Sequence, residues 1–170
     1  GSGTTLDVAA DLGRTGFGFD LQPQRDDIKH ADARQIPLQD SSADFIFIDP
    51  PYSTNLKYGD DPRCIGKLSA AGSDYFEALG HVYEESYRIL KNRRFIAIYI
   101  CDVWNKKDGF LPIGASTMMQ LSQYFRLVDH VSVVRHNKNL KMGNHRKAAK
   151  DGNFFLRGFN HLIIAKKQED

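Results

Sequence analysis

Short apolar runs alternate along this chain with stretches whose apolar residues recur every three or four positions. The runs mark buried strands and the longer period marks helices. Residues 6–12 (LDVAADL) predict a short helix with Gly13 as its stop. Residues 16–20 (GFGFD) predict a strand ending in an acid, and a second short strand is expected just before Asp32. Phe45, Ile46, Phe47 and Ile48, within residues 44–49, form a nearly continuous apolar run. Such a run suits a parallel strand buried on both faces. Pro50-Pro51 ends it, because proline has no N–H to give to a ladder. Ser73 predicts a helix N-cap, with Asp74 in the first turn. Phe76, Leu79, Tyr83, Tyr87 and Leu90 follow at helical spacing, and Arg88 and Lys91 close that helix. Residues 94–101 (RFIAIYIC) predict another buried strand, and residues 115–125 a helix with Met118, Leu121 and Phe125 on one face. Residues 127–134 and 161–165 predict the last strands.

Strands alternating with helices predict an α/β fold with helices on both faces of a sheet. In such sheets ligands bind at the carboxyl ends of the strands. Asp20, Asp32 and Asp49 all fall there. Residues 53–72 are rich in Gly, Ser, Asp and Lys and predict a long mobile loop, of a length that is usually functional. The 170 residues suit one domain, and a hydrophobic fraction of 41% allows a sizeable core. Cys64 and Cys101 sit in unrelated contexts with no metal-ligand spacing, so neither a metal site nor a disulfide is expected. Free thiols fit a reducing cytoplasm. No apolar stretch approaches the roughly 20 residues needed to span a membrane.

The sharpest chemical signal is Asp49-Pro50-Pro51-Tyr52 behind its apolar strand. An aryl amine is a poor nucleophile because its lone pair is delocalised into the ring. Two hydrogen-bond acceptors on its N–H groups would help localise that pair. The Asp49 carboxylate and the Pro50 carbonyl can supply them, and the fixed φ of Pro50 and Pro51 holds the carbonyl rigidly. Tyr52 offers a ring face on which a flipped-out base can stack. The same tetrapeptide can also merely end a strand and begin a turn. What lies upstream decides between the two. Gly1-Ser2-Gly3-Thr4 before a helix lets backbone approach a ligand closely. Asp20, ending the next strand, suits ribose hydroxyls. Asp32 suits the amine of a cofactor adenine, with the Ala33 N–H facing its ring.

With these parts in this order, nearly the whole chain resembles the amino-methyltransferases of DNA that carry a Gly-x-Gly-Thr cofactor turn and an Asp-Pro-Pro-Tyr motif. Residues 57–62 (KYGDDP) and 152–156 (GNFFL) share the likeness. The resemblance implies a Rossmann-like class I methyltransferase fold: a mostly parallel sheet with an antiparallel last strand. It implies S-adenosylmethionine as methyl donor and a flipped base as acceptor, adenine N6 in DNA. It places Gly1, Gly3, Thr4, Asp20, Leu21, Asp32, Ala33 and Asp49 at the cofactor, and Asp49, Pro50, Pro51 and Tyr52 at the reacting amine. It also implies a strand leading into the glycine turn, so a strand before Gly1 is expected.

The net charge of +2 is too small to indicate nucleic-acid binding, so placement of charge must carry that argument. Residues 130–150 hold Arg135, Lys138, Lys141, Arg146, Lys147 and Lys150 and no acid. This basic run reads as a phosphate-contacting loop, with Lys57, Arg63 and Lys67 contributing from the other side. An N4-cytosine DNA enzyme, an RNA base methyltransferase and an inactive nucleic-acid-binding subunit of the same fold remain as alternatives. A C5-cytosine enzyme does not, since neither cysteine follows a proline.

Overall fold

The computed structural model describes residues 2–136 and 145–169. The chain runs through helix α1 (Thr4–Asp11), strands β1 (Gly18–Asp20), β2 (Ile28–His30) and β3 (Ala43–Ile48), a 3-10 turn at Ile65–Lys67, and helix α2 (Ser73–Ile89). Strand β4 (Leu90–Ile100), the hairpin of β5 (Val103–Asn105) and β6 (Gly109–Leu111), and helix α3 (Ile113–Leu121) follow. Strand β7 (Arg126–Val134), helix α4 (His145–Asp151) and strand β8 (Phe159–Lys166) complete it.

The main sheet has the order β3-β4-β8-β7, and β1 and β2 form a separate parallel pair. β3 runs parallel to β4, with Ile46 opposite Ile96 and Ile48 opposite Ile98. β8 inserts antiparallel between β4 and β7. The expected antiparallel last strand is therefore present. The sheet is mixed rather than mostly parallel, because β8 pairs antiparallel on both its sides.

The core lies on one face of this sheet. Ile96, Ile98 and Ile100 of β4 and Ile163 and Ala165 of β8 pack under Tyr75, Leu79, Val82 and Tyr83 of α2 and Ile113 and Leu121 of α3. Side chains alternate across a strand, so neighbouring positions face the other way. Ile46 and Ile48 join the core. Phe45 and Phe47 are 58% and 40% exposed, and Phe95, opposite Phe45, is exposed as well. The continuous apolar run of β3 had predicted burial on both faces, with helices on both. Among the described residues β3 has a ladder partner only in β4, and α2 and α3 cover only the face of Ile46 and Ile48.

Several local expectations shift. α1 begins at Thr4, two residues before the predicted start. Ser73 is the first residue of α2 rather than its cap, and its hydroxyl bonds Asp74. β4 begins at Leu90, before the predicted Arg94. Residues 53–72 are not a loose loop: Ser53, Ile65 and Ala70 are buried, and the Ala70 N–H donates to Ser53 Oγ at 2.8 Å. No helix among the described residues is long and apolar enough to cross a membrane.

The two faces of β3–β4 carry unequal shares of the stability. Ile98→Ala, in the filled face, is expected to cost about 2–5 kcal/mol, and Phe45→Ala, on the exposed one, about 1 kcal/mol. Urea unfolding midpoints of the two variants check this, and equal losses would place the core wrongly.

Candidate active site

β3 delivers Asp49 to the carboxyl end of the sheet, and two prolines then prevent the ladder from continuing. Side chains hold the chain in place of ladder bonds. The Tyr75 hydroxyl, from a fully buried position in α2, donates to the Pro51 carbonyl at 2.6 Å. The Ser53 N–H donates to the same carbonyl at 3.1 Å. The Tyr52 N–H donates to Tyr58 Oη at 3.0 Å. Gly66 closes the back of this corner, where a Cβ would lie 2.4 Å from the Tyr58 ring and 3.1 Å from Pro51. Among the described residues no hydrogen bond engages the Pro50 carbonyl.

Within the motif, the Tyr52 hydroxyl donates to Asp49 Oδ1 at 2.6 Å and fixes the carboxylate. Asp49 reaches solvent as a residue, yet its carboxyl is partly desolvated. Burial pushes that carboxyl above its ordinary value, and the Tyr52 hydroxyl pulls it part of the way back. Burial and the neighbouring carboxylate both push the Tyr52 hydroxyl up, so it stays protonated and donating.

The glycine turn, described from Ser2 onward, sits at the start of α1. Gly3 has φ +84°, which favours glycine, and a Cβ there would lie 2.3 Å from Arg25 Nη1 and displace that side chain. Arg25 clamps the turn: it donates to Ser2 O, to both oxygens of Asp7 and to Asp27. The N–H groups of Leu6 and Asp7 are taken by Gly3 O, whereas no described hydrogen bond takes those of Thr4 and Thr5. The Thr4 hydroxyl lies 3.0 Å from that of Ser2. Gly1 lies outside the described residues.

Asp20 ends β1 half-buried, accepting from the Gln22 N–H at 2.8 Å, with Leu21 half-buried beside it. Asp32 follows β2 as expected, but it has a partner that the sequence did not announce. Arg34 Nε donates to its Oδ1 and Arg34 Nη2 to its Oδ2, at 2.9 and 2.6 Å, and this pairing holds the carboxyl below its usual range. Ala33 is exposed next to it.

Residues 53–72 bring these strand ends to the Asp49 corner. Gly59 packs against the Gln22 side chain, and the Arg63 carbonyl accepts from Arg34 at 3.0 Å. Asp20, Asp32 and Asp49, from three separate strands, are thereby linked through one segment. The same segment pairs two of its three cations with its own carboxylates. Lys57 pairs with Asp60 at 2.8 Å, and Lys67 donates to the Asp60 carbonyl. Arg63 pairs with Asp61 at 2.7 Å and holds that carboxyl down to about 2. Lys57 and Arg63 remain exposed while so paired. Arg146, Lys147 and Lys150 are exposed on or beside the polar surface of α4. Lys138 and Lys141 lie outside the described residues.

Sequence reading missed a second cluster at the same end of the sheet. Cys101 and Asp102 follow β4 directly. Cys101 is buried, and Arg135, whose Nε donates to Asn160 Oδ1, partly offsets the upward push of burial on its thiol. Asp102 Oδ1 accepts from the Gly114 N–H at 2.9 Å, and its Oδ2 lies 3.2 Å from His161 Nε2. His161 Nδ1 in turn lies 2.8 Å from His130 Nε2. Gly114 leaves the room for this, since a Cβ there would meet the His161 ring at 2.3 Å. The pairing of β7 with β8 makes the contact, which no local spacing could reveal.

No family model and no curated protein sequence matches the chain. Solved structures do. A proposed DNA modification methylase of Thermus thermophilus was solved in complex with S-adenosyl-L-methionine. It matches over 82% of this chain and 54% of its own, at 16% identity and a TM-score of 0.57. The fold is that of the S-adenosylmethionine-dependent methyltransferases. One such enzyme from Methanosarcina mazei matches over 100% of this chain and 90% of its own, at 13% identity and a TM-score of 0.59. A proposed sarcosine dimethylglycine methyltransferase from Galdieria sulphuraria matches over 98% and 74%, at 14% identity and a TM-score of 0.55. The chain spans about half the length of the Thermus protein. Substrates among these relatives differ, so the fold alone does not choose one.

The Asp49–Tyr52 bond has a sign that can be measured. A hydroxyl donating to a carboxylate favours its charged form, so removing it raises the carboxyl further. Tyr52→Phe is therefore expected to move the Asp49 titration, followed by carboxyl carbon NMR, to higher pH than wild type. A wild-type midpoint at or below the ordinary value of about 3.9, or no shift in the variant, contradicts the geometry.

Proposed function

We propose that the protein is a methyltransferase that carries a methyl group from S-adenosylmethionine to the exocyclic amine of a nucleic-acid base, adenine N6 in DNA. The observation that carries this reading is the Asp49–Tyr52 corner. It combines a carboxylate, a Pro50 carbonyl that no hydrogen bond among the described residues engages, and an aromatic ring. Asp49 and Pro50 each accept one amine N–H, which localises the nitrogen lone pair and steadies the positive charge that grows there. Preorganised acceptors of this kind cost no rearrangement at the moment of reaction. The Tyr52 ring supports the base, while its hydroxyl keeps the carboxylate in position.

S-adenosylmethionine, when bound, supplies an electrophilic methyl carbon. The open N–H groups of Thr4 and Thr5 behind the Gly3 turn suit its carboxylate. Asp20, with Leu21, suits its ribose. Asp32 would share its carboxylate between Arg34 and the cofactor amine, beside Ala33. The S-adenosyl-L-methionine complex of the Thermus protein supports this donor, and the name of that protein supports DNA. The reading also includes a further strand seated between β1 and β3. The separation of the two sheets and the exposure of Phe45 and Phe47 support it.

Asp49→Ala is expected to lower methyl transfer to DNA by about 10²–10³-fold, the usual loss for one preorganised group. Cofactor affinity, measured by calorimetry, should stay within a few-fold of wild type. A transfer rate within about twofold of wild type would remove Asp49 from the chemistry.

A further inference from the structure

The carboxyl end of the sheet carries a second aromatic surface, away from Tyr52. The β5–β6 hairpin leaves β4 directly after Asp102. Residues 152–158 enter β8, which begins opposite the end of β7 and runs back past the end of β4. Both segments therefore emerge at the end where Asp49 stands, one or two strands away, on the order of 10 Å at the usual strand spacing.

Two contacts clasp these segments. The Trp104 and Phe154 rings stack at 4.0 Å and 19°. Arg157 lies over the Phe110 ring at 4.6 Å. The turn that makes this possible follows α4: the Phe154 N–H donates to Ala149 O, and Asn153 takes φ +50°. The turn sends Phe154 inward onto Trp104 and leaves Phe155 outward. Phe155 is 90% exposed, and Phe110 beside this clasp is 50% exposed.

A large apolar side chain held this far into water, on a braced turn, adds nothing to the core cluster. The charges around it indicate what it meets. The elements that form this clasp carry Arg146, Lys147 and Lys150 on α4, Lys106 and Lys107 in the hairpin and Arg157 before β8, against Asp108 and Asp151. Cations interleaved with an exposed aromatic suit phosphates beside an unstacked base.

Resting on the proposed nucleic-acid substrate, we propose that Phe155 is a wedge that enters the base stack next to the target nucleotide. The cations of α4 hold the flanking phosphates. Inserted apolar side chains unstack base steps, and an enzyme that extrudes a base from a duplex needs that unstacking paid back in contacts. In single-stranded DNA the bases are already free, so the wedge matters mainly on duplex.

The test compares methyl transfer and fluorescence-anisotropy binding on matched duplex and single-stranded DNA, for wild type, Phe155→Ala and Phe155→Trp. The ratio of duplex to single-strand activity should fall on the order of tenfold in Phe155→Ala, the order of one base–aromatic stack, and should recover in Phe155→Trp. Replacing Arg146, Lys147 and Lys150 with Ala should instead flatten the salt dependence of duplex binding, by about 0.9 in log–log slope per lost contact. An unchanged ratio in Phe155→Ala, with wild type active on DNA, overturns the wedge and leaves the proposed activity standing. A wild type that neither binds nor methylates DNA overturns the proposed activity itself, and the wedge with it.

Discussion

Two consecutive prolines at the end of β3 are the constraint on which the rest of the site depends. They offer no N–H, so the sheet cannot hold the chain beyond Ile48 by its own ladder. The corner is held from outside instead, by the Tyr75 hydroxyl on Pro51 O, by Tyr58 on the Tyr52 N–H and by Ser53 against Ala70. Tyr75 belongs to the same buried cluster as Ile96, Ile98 and Ile163. The position of the Asp49 carboxylate is thereby set by the core of the domain rather than by a loop.

That arrangement explains why residues 53–72 are folded despite a polar, glycine-containing composition. Ser53 and Ala70 pin its ends together, Gly59 touches Gln22, and the Arg63 carbonyl accepts from Arg34. The segment joins the Asp49 corner to the ends of β1 and β2. On the other side, Asp102 ties the N-terminus of α3 to His161 and so to β7 and β8. Arg88 performs a similar task at the far end of α2, bonding Asp40 and the carbonyls of Ile36 and Leu38.

The helices and most strands were legible, since α2 buries residues at helical spacing and β4 ends in a nearly continuous apolar run. The Asp49 motif was legible because it is contiguous. Pairings were not. The antiparallel last strand came from the resemblance, and strand order along the chain says nothing of β8 entering between β4 and β7. Lys57 and Arg63 looked unpaired because their partners, Asp60 and Asp61, lie in the same segment and only its folding matches them. Asp32 looked open because its pairing with Arg34 depends on a local turn, seen as the bridge between Asp32 and Gln35. The Cys101, Asp102 and His161 cluster and the Trp104–Phe154 stack join residues some 50 or more positions apart and leave no trace in local spacing.

The central claim is that this corner methylates the amine of a base in DNA. Incubation with methyl-labelled S-adenosylmethionine and separate unmethylated DNA and RNA pools, followed by nucleoside analysis, tests it most directly. The account predicts label in DNA, recovered as N6-methyldeoxyadenosine. Label confined to RNA, label on a ring carbon, or no transfer by a folded protein that binds the donor would contradict it.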